Sequence, residues 1–168
     1  MSIDVTAKIS PTARILSESV CVGKHCRIDD GAILTGNIVL GDYVHIGPYC
    51  VLTGGEGIHI GDYTGLAAFV SVLTASDDFS GRSMVNPCIP EEYKPHLRRD
   101  KVLIGENVII GSHSVVMPGV NIGDGVSIGA HSLVKHDCIP NYLYGGVPAK
   151  EIRKKSMEIW ELTKRFKQ

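Results

Sequence analysis

The sequence predicts an all-β chain wound into a three-sided parallel coil, and three features carry that expectation. An aliphatic residue recurs every six positions, glycine directly follows half of them, and a small or β-branched residue stands four places further on in most units. The aliphatic series runs Leu16, Val22, Ile28, Leu34, Leu40, Ile46, Leu52. It restarts as Ile60, Leu66, Val72 and again as Ile104, Ile110, Val116, Ile122, Ile128, Val134. A helix repeats near 3.6 residues and a flat strand near 2, so a period of six requires short strands joined by turns. Three units close one coil, whose backbone pairs with coils about 4.8 Å above and below. Sixteen such positions predict a little over five coils.

The turns follow from Gly23, Gly41, Gly47, Gly61, Gly105, Gly111, Gly123 and Gly129, each directly after an aliphatic position. The second inward row follows from residues such as Cys26, Ala32, Val44, Cys50, Thr64, Val70, Val108, Ser114, Val120, Val126, Ser132 and Cys138. With 168 residues, 43% apolar and 21% charged, the chain is long enough for one continuous core. The five cysteines are odd in number and lack CxxC spacing, which argues for free, mostly buried thiols over disulfides or a thiolate zinc site.

Charge and hydropathy exclude several function classes. The net charge of −1, with both signs interspersed, lacks the basic footprint of a nucleic-acid binder. The opening MSIDVTAKIS has no basic start leading into an apolar run, and no stretch approaches the roughly 18 apolar residues of a membrane span. A cytoplasmic location and no membrane insertion are expected.

Two segments break the phase and are expected to leave the coil, both after the same face: TGGEGIH before Ile60, and about residues 73–103, which include SDDFSGRSMVNPCIPEEYKPHLRRDK. The second is rich in proline and charge and has no periodicity. Loops of this length in compact domains are usually functional, so it is expected to cover substrate. His59 and Asp77 are eighteen residues apart, one coil, and each ends its unit on the same face. That spacing predicts stacked neighbours, with a carboxylate orienting an imidazole that titrates near working pH.

After the last regular unit comes IPNYLYGGVPAKEIRKK. Gly145 and Gly146 permit close backbone approach, Pro148 fixes a turn, and Lys150 and Arg153 offer cations to phosphates. From Glu151 onward Ile152, Ile159, Trp160, Thr163 and Phe166 stand near helical spacing, predicting a short terminal α-helix that caps the stack. The expected division is a β-helix over 1–140 and a coenzyme-binding turn and helix over 141–168.

The repeat together with GGVPAK resembles the hexapeptide-repeat acyltransferases, closest to sugar and galactoside O-acetyltransferases. The resemblance implies a left-handed β-helix, a homotrimer with active sites between subunits, and acetyl-CoA as acyl donor. In those enzymes the long loop begins with a histidine that acts as general base, followed by proline. Here Asp77 and Asp78 stand at those places, so the family's base is not carried over. His59 and Asp77 are therefore the catalytic candidates, either as a pair or with Asp77 meeting an amine acceptor directly. By position, the coenzyme contacts fall on Gly111, Ser112, Gly129, Ala130, Lys135, Lys150 and Arg153. Asp78, Arg82 and Asn86 are the acceptor candidates.

The implied activity is acetylation of a hydroxyl on a sugar or sugar-nucleotide precursor of polysaccharide, with amino-sugar N-acetylation as the alternative. Two rivals share the fold. One is a γ-type carbonic anhydrase, for which His113, His131 and His136 have suggestive spacing. The other is a β-helix that binds partners without catalysis. GGVPAK and the long loop favour the transferase, for which no metal is expected.

Overall fold

The computed structural model describes residues 1–168. Its strands form three walls wound as the left-handed β-helix that the sixfold period requires. The second wall shows the logic most plainly. Lys8–Ile9, Arg27–Ile28, His45–Ile46, Gly65–Leu66, Ile109–Ile110, Ser127–Ile128 and Tyr142–Gly145 stack as parallel neighbours, one per coil. Because strand side chains alternate, one member of each pair faces inward. Ile9, Ile28, Ile46, Leu66, Ile110, Ile128 and Tyr144 therefore form one column. The first and third walls are joined without a break by Ile33–Leu40 and Val51–Ile60, which run round the corner between them.

These columns bury a single core of 29 residues. Fifteen of the sixteen expected aliphatic positions are in it, and the row four places on is buried as well. The exception is Leu16, which is 54% exposed. Ile15, one residue earlier, pairs with Leu34 instead. The step from Ile15 to Val22 is seven residues, so the phase slips once, and Ile3, Ile9 and Ile15 add a coil below the expected start. Seven rungs on the second wall replace the expected count of a little over five coils.

TGGEGIH does not leave the coil as a loop. It lies within the ten-residue strand Val51–Ile60 and is absorbed at a wide corner with a register shift. There Gly54 lies directly over Gly36, whose φ is +80°, and a Cβ on Gly36 would fall 2.5 Å from the Gly54 carbonyl carbon. Only glycine fits both the left-handed backbone and the approach.

The long segment does leave. Ala75–Ser76 pairs antiparallel with Arg98–Arg99, making the base of an arm that also carries a single 3-10 turn, Glu91–Tyr93. At the other end, Tyr142–Gly145 is the last parallel rung before the chain reverses into Lys150–Lys154. The coil thus extends to Gly145. Helix α1 (Glu158–Phe166) lies along the first–second corner. Trp160 donates to Asn141 (2.7 Å), and Phe166 packs edge-on against Tyr43 and Tyr63 at 5.1 and 5.8 Å. The helix clamps the flank of the stack as well as its end.

The second–third corner carries a column of rings at left-handed φ: Tyr49, Phe69, His113 and His131. Successive ring centroids are 5.2, 4.7 and 4.9 Å apart and nearly parallel. Stacking of about 0.5–1.5 kcal/mol per pair offsets a left-handed cost of about 1–2 kcal/mol per residue. His113 and His131, which raised the zinc rival in sequence, are members of this ring column.

Of the cysteines, Cys26, Cys50 and Cys138 are buried and Cys21 and Cys88 exposed, all free. Burial pushes the Cys50 and Cys138 thiols up to about 11 and about 12. No helix is long and apolar enough to cross a membrane.

Candidate active site

The arm leaves the third wall after Leu73, and Thr74 locks its root. The buried Thr74 hydroxyl donates to the Thr53 carbonyl (2.6 Å) and accepts the Glu56 amide (3.2 Å), tying the arm to the wide glycine corner. The hairpin base then sets Ser76 opposite Arg98. A cleft of about 550 Å³ opens between arm and wall, lined by Ser76, Asp77, His96, Arg98, Met117 and Lys135 together with Asp78, Phe79 and Leu133.

Asp77 is half-buried at the mouth of this cleft. One carboxylate oxygen accepts the Asn86 amide at 2.9 Å; the other has no hydrogen bond within the protein. A fixed carboxylate with one free oxygen can bind an ammonium group or take up a proton.

The expected stacking of His59 on Asp77 is not formed. The strand register places Val39 below His59 and Leu103 above it, on the outward face of the first wall. The physical reason is the arm itself: Asp77 lies inside it, so the place over His59 in the next coil is taken by Leu103, on the strand Val102–Ile104 by which the chain returns to the wall. His96, which sequence reasoning missed, is the histidine that shares the cleft with Asp77. Its only signal was membership of the aperiodic segment.

Two of the three acceptor candidates are occupied within the arm, and the third braces it. Asp78 accepts the Ser80 amide and hydroxyl and the Arg82 amide at 2.8–2.9 Å, closing a turn. The Ser80 hydroxyl, first among these donors, holds the Asp78 carboxyl below its ordinary value. Asn86, at φ +77°, gives its amide to Asp77, accepts the Cys88 amide through its side chain and the Lys94 ammonium through its carbonyl. Arg82 donates through Nε to Ser80 and is otherwise exposed.

The coenzyme candidates divide between two corners of the third wall. Gly111–Ser112 and Gly129–Ala130 sit at the second–third corner, whereas Lys135 lies at the opposite corner, in the cleft. The Gly111 and Gly129 amides, expected to be available to a ligand, donate to the Ile128 and Tyr144 carbonyls at 2.8 Å. Their lack of a side chain serves the stack: a Cβ on Gly111 would meet the Ala130 nitrogen at 2.4 Å. The Ser112 and Ala130 amides have no acceptor and remain available.

The GGVPAK turn closes over the third wall. Leu133 donates to the Gly146 carbonyl (3.0 Å) and accepts the Ala149 amide (2.8 Å), so the turn abuts a residue that lines the cleft. Gly146, at φ +102°, takes a backbone shape that disfavours any side chain. Lys150 and Arg153 follow on an exposed antiparallel strand; Arg153 gives one guanidinium N–H to the Lys154 carbonyl at 3.4 Å, and Lys150 has no side-chain hydrogen bond or ion pair. The turn thus lies between the third wall, which lines the cleft, and the basic strand, which pairs with the last rung of the second wall.

The chain is similar to known proteins in both sequence and fold. The family model for bacterial transferase hexapeptide repeats matches residues 22–54 and 101–136, the two stretches that flank the glycine corner and the arm. The chain is 36% identical over 99% of its length to dTDP-4-amino-4,6-dideoxy-D-glucose acyltransferase of Escherichia coli, covering 88% of that protein. It is 33% identical, over 74% of its length and 62% of the other's, to the putative lipopolysaccharide biosynthesis O-acetyl transferase WbbJ of the same species. Among solved structures, a variant of AntD, an N-acyltransferase from Bacillus cereus in complex with dTDP-4-amino-4,6-dideoxyglucose and coenzyme A, superposes with a TM-score of 0.95. That match is 40% identical and covers 98% of this chain and 89% of that one. From its repeat, its coil and its near full-length likeness to the dTDP-4-amino-4,6-dideoxy-D-glucose acyltransferase and AntD, the chain belongs to the bacterial hexapeptide-repeat transferases.

Proposed function

We propose that this protein transfers an acyl group, acetyl or larger, from acyl-coenzyme A to the amino group of a nucleotide-linked amino sugar. The observation that carries this reading is Asp77: a held carboxylate with one free oxygen, in a cleft that adjoins the GGVPAK turn. Its near full-length relatives acylate, or bind, dTDP-4-amino-4,6-dideoxyglucose.

An amine is a stronger nucleophile than a hydroxyl and needs only to shed one proton. In this reading Asp77 binds the amino group and accepts that proton. The neutral nitrogen attacks the thioester carbonyl, a C–N bond forms, the C–S bond breaks, and the surplus proton then on nitrogen passes to the departing sulfur, so coenzyme A leaves as its thiol. The free amides of Ser112 and Ala130 are suited to the pantetheine arm, and Lys150 and Arg153 to its phosphates. Arg98 and Lys135 line the cleft where a nucleotide diphosphate would need cations.

Because the coenzyme candidates occupy both corners of the third wall, a coenzyme serving one cleft is best held between two copies. The homotrimer is therefore part of the proposal. Light scattering tests it, and a fully active monomer would contradict it.

A hydroxyl acceptor is the second reading, favoured by the presence of His96 in the same cleft as Asp77 and by the likeness to WbbJ. The decisive experiment offers acetyl-CoA with dTDP-4-amino-4,6-dideoxyglucose or with its 4-hydroxy counterpart and measures thiol release. Hydroxylamine then distinguishes an amide product, which survives, from an ester, which is cleaved. Turnover of the hydroxy sugar alone would overturn the amine reading.

A further inference from the structure

The arm carries a second pocket of about 210 Å³ that shares Ser76 and Asp77 with the cleft and is lined also by Pro87, Lys94, Leu97 and Arg99. Lys94 is only 8% exposed. Lysine is rarely this deep unless its charge is engaged, because an ammonium group taken out of water must recover its lost hydration. Arg99, the other cation there, is paired with Glu91 and lies 3.9 Å from Glu56. Lys94 forms no ion pair; its ammonium donates to a single acceptor, the Asn86 carbonyl, at 3.0 Å.

Asn86 is thereby held from three sides. Its carbonyl takes Lys94, its side-chain oxygen takes the Cys88 amide, and its own amide is the donor that holds Asp77. The residue keeps a left-handed backbone, φ +77°, that a free loop would not favour. Removing the pull on its carbonyl releases the backbone whose N–H aims the Asp77 carboxylate.

We propose that Lys94 is a positioning residue for acyl transfer: by anchoring the Asn86 carbonyl, it keeps the Asn86 amide on one oxygen of Asp77 and leaves the other facing the acceptor. The inference rests on the reading that Asp77 meets the acceptor. Lys94 itself touches neither substrate nor coenzyme. Its burial follows from this role, since the ammonium group anchors the arm from within.

The test compares wild type with Lys94→Met, Lys94→Arg, Lys94→Gln and Asp77→Asn. One readout is independent of turnover: hydrogen exchange of the Asn86 amide, which should quicken about tenfold or more in Lys94→Met. The second is kinetic. Misplacing a reacting group by about 1 Å costs on the order of 10²-fold, so kcat should fall by roughly that factor in Lys94→Met while KM for acetyl-CoA holds. Lys94→Arg, which keeps a cationic donor, should restore most of both. If Lys94→Met fails to fold, Lys94→Gln, a shorter neutral side chain, gives the same comparison. Unchanged Asn86 exchange, or unchanged kcat, overturns the inference. An Asp77→Asn protein with full activity places the failure in the role of Asp77 instead.

Discussion

The coil and the arm are held together in opposite ways. In the coil, strands pair with the same position one turn above or below, and the side chains between walls form one apolar core. In the arm, residues 74–101, the holding contacts are polar and individual: Asp77 to Asn86, Asp78 to Ser80, Lys94 to Asn86, Arg99 to Glu91. Large arm side chains such as Phe79, Met84 and Tyr93 are exposed. The coil is therefore a scaffold whose positions are nearly interchangeable, and the arm a device in which each residue has one task.

The sharpest way to break this contrast is to injure each region separately. Ile110 is fully buried in the second wall, and Ile110→Ala should cost about 2–5 kcal/mol of stability in urea unfolding. Asp77→Asn should leave the melting curve and circular dichroism nearly unchanged while lowering turnover by about 10²–10⁴-fold. If Asp77→Asn instead unfolded the coil, the two regions would not be separable.

Smaller effects sharpen the picture at the coenzyme end and within the arm. Lys150→Ala and Arg153→Ala should each raise KM for acyl-CoA by about three- to tenfold, as expected for one exposed charge on a phosphate, with kcat retained. Acid should loosen the arm before the coil. The Asp78 carboxyl titrates below its ordinary 3.8 when folded, held down by Ser80, so its stabilising contribution is whole above that value. The contribution is lost as pH falls through the lower folded value. Limited proteolysis of the arm as pH falls below 3.8 should follow this loss, and Asp78→Asn should flatten it.

How much was legible in the sequence differs between the same two regions. Val22 through Val134 announced their burial because a coil repeats its environment every six residues, and only the seven-residue step before Val22 concealed the first coil. The wide corner at Gly54–Gly57 read as an exit, although stacking on Gly36 keeps it in the wall. In the arm, Asp77 was legible as a departure from the related enzymes' histidine. His96 and Lys94 were not, because nothing periodic connects them to Asp77. The pairing of His59 with Asp77 failed where the period ceased to measure distance.

By itself, the sequence determined the wound architecture, the inward columns, the departure of the arm from the coil and the turn that closes the stack, since each depends on local pattern or on a distinctive string of residues. Tertiary structure alone decided which side chains share the cleft, that Leu103 replaces Asp77 above His59, and that a buried lysine holds the loop behind the carboxylate. The reason is physical. Repeats carry their own coordinates, whereas an aperiodic segment acquires its geometry only from the polar bonds it makes on folding.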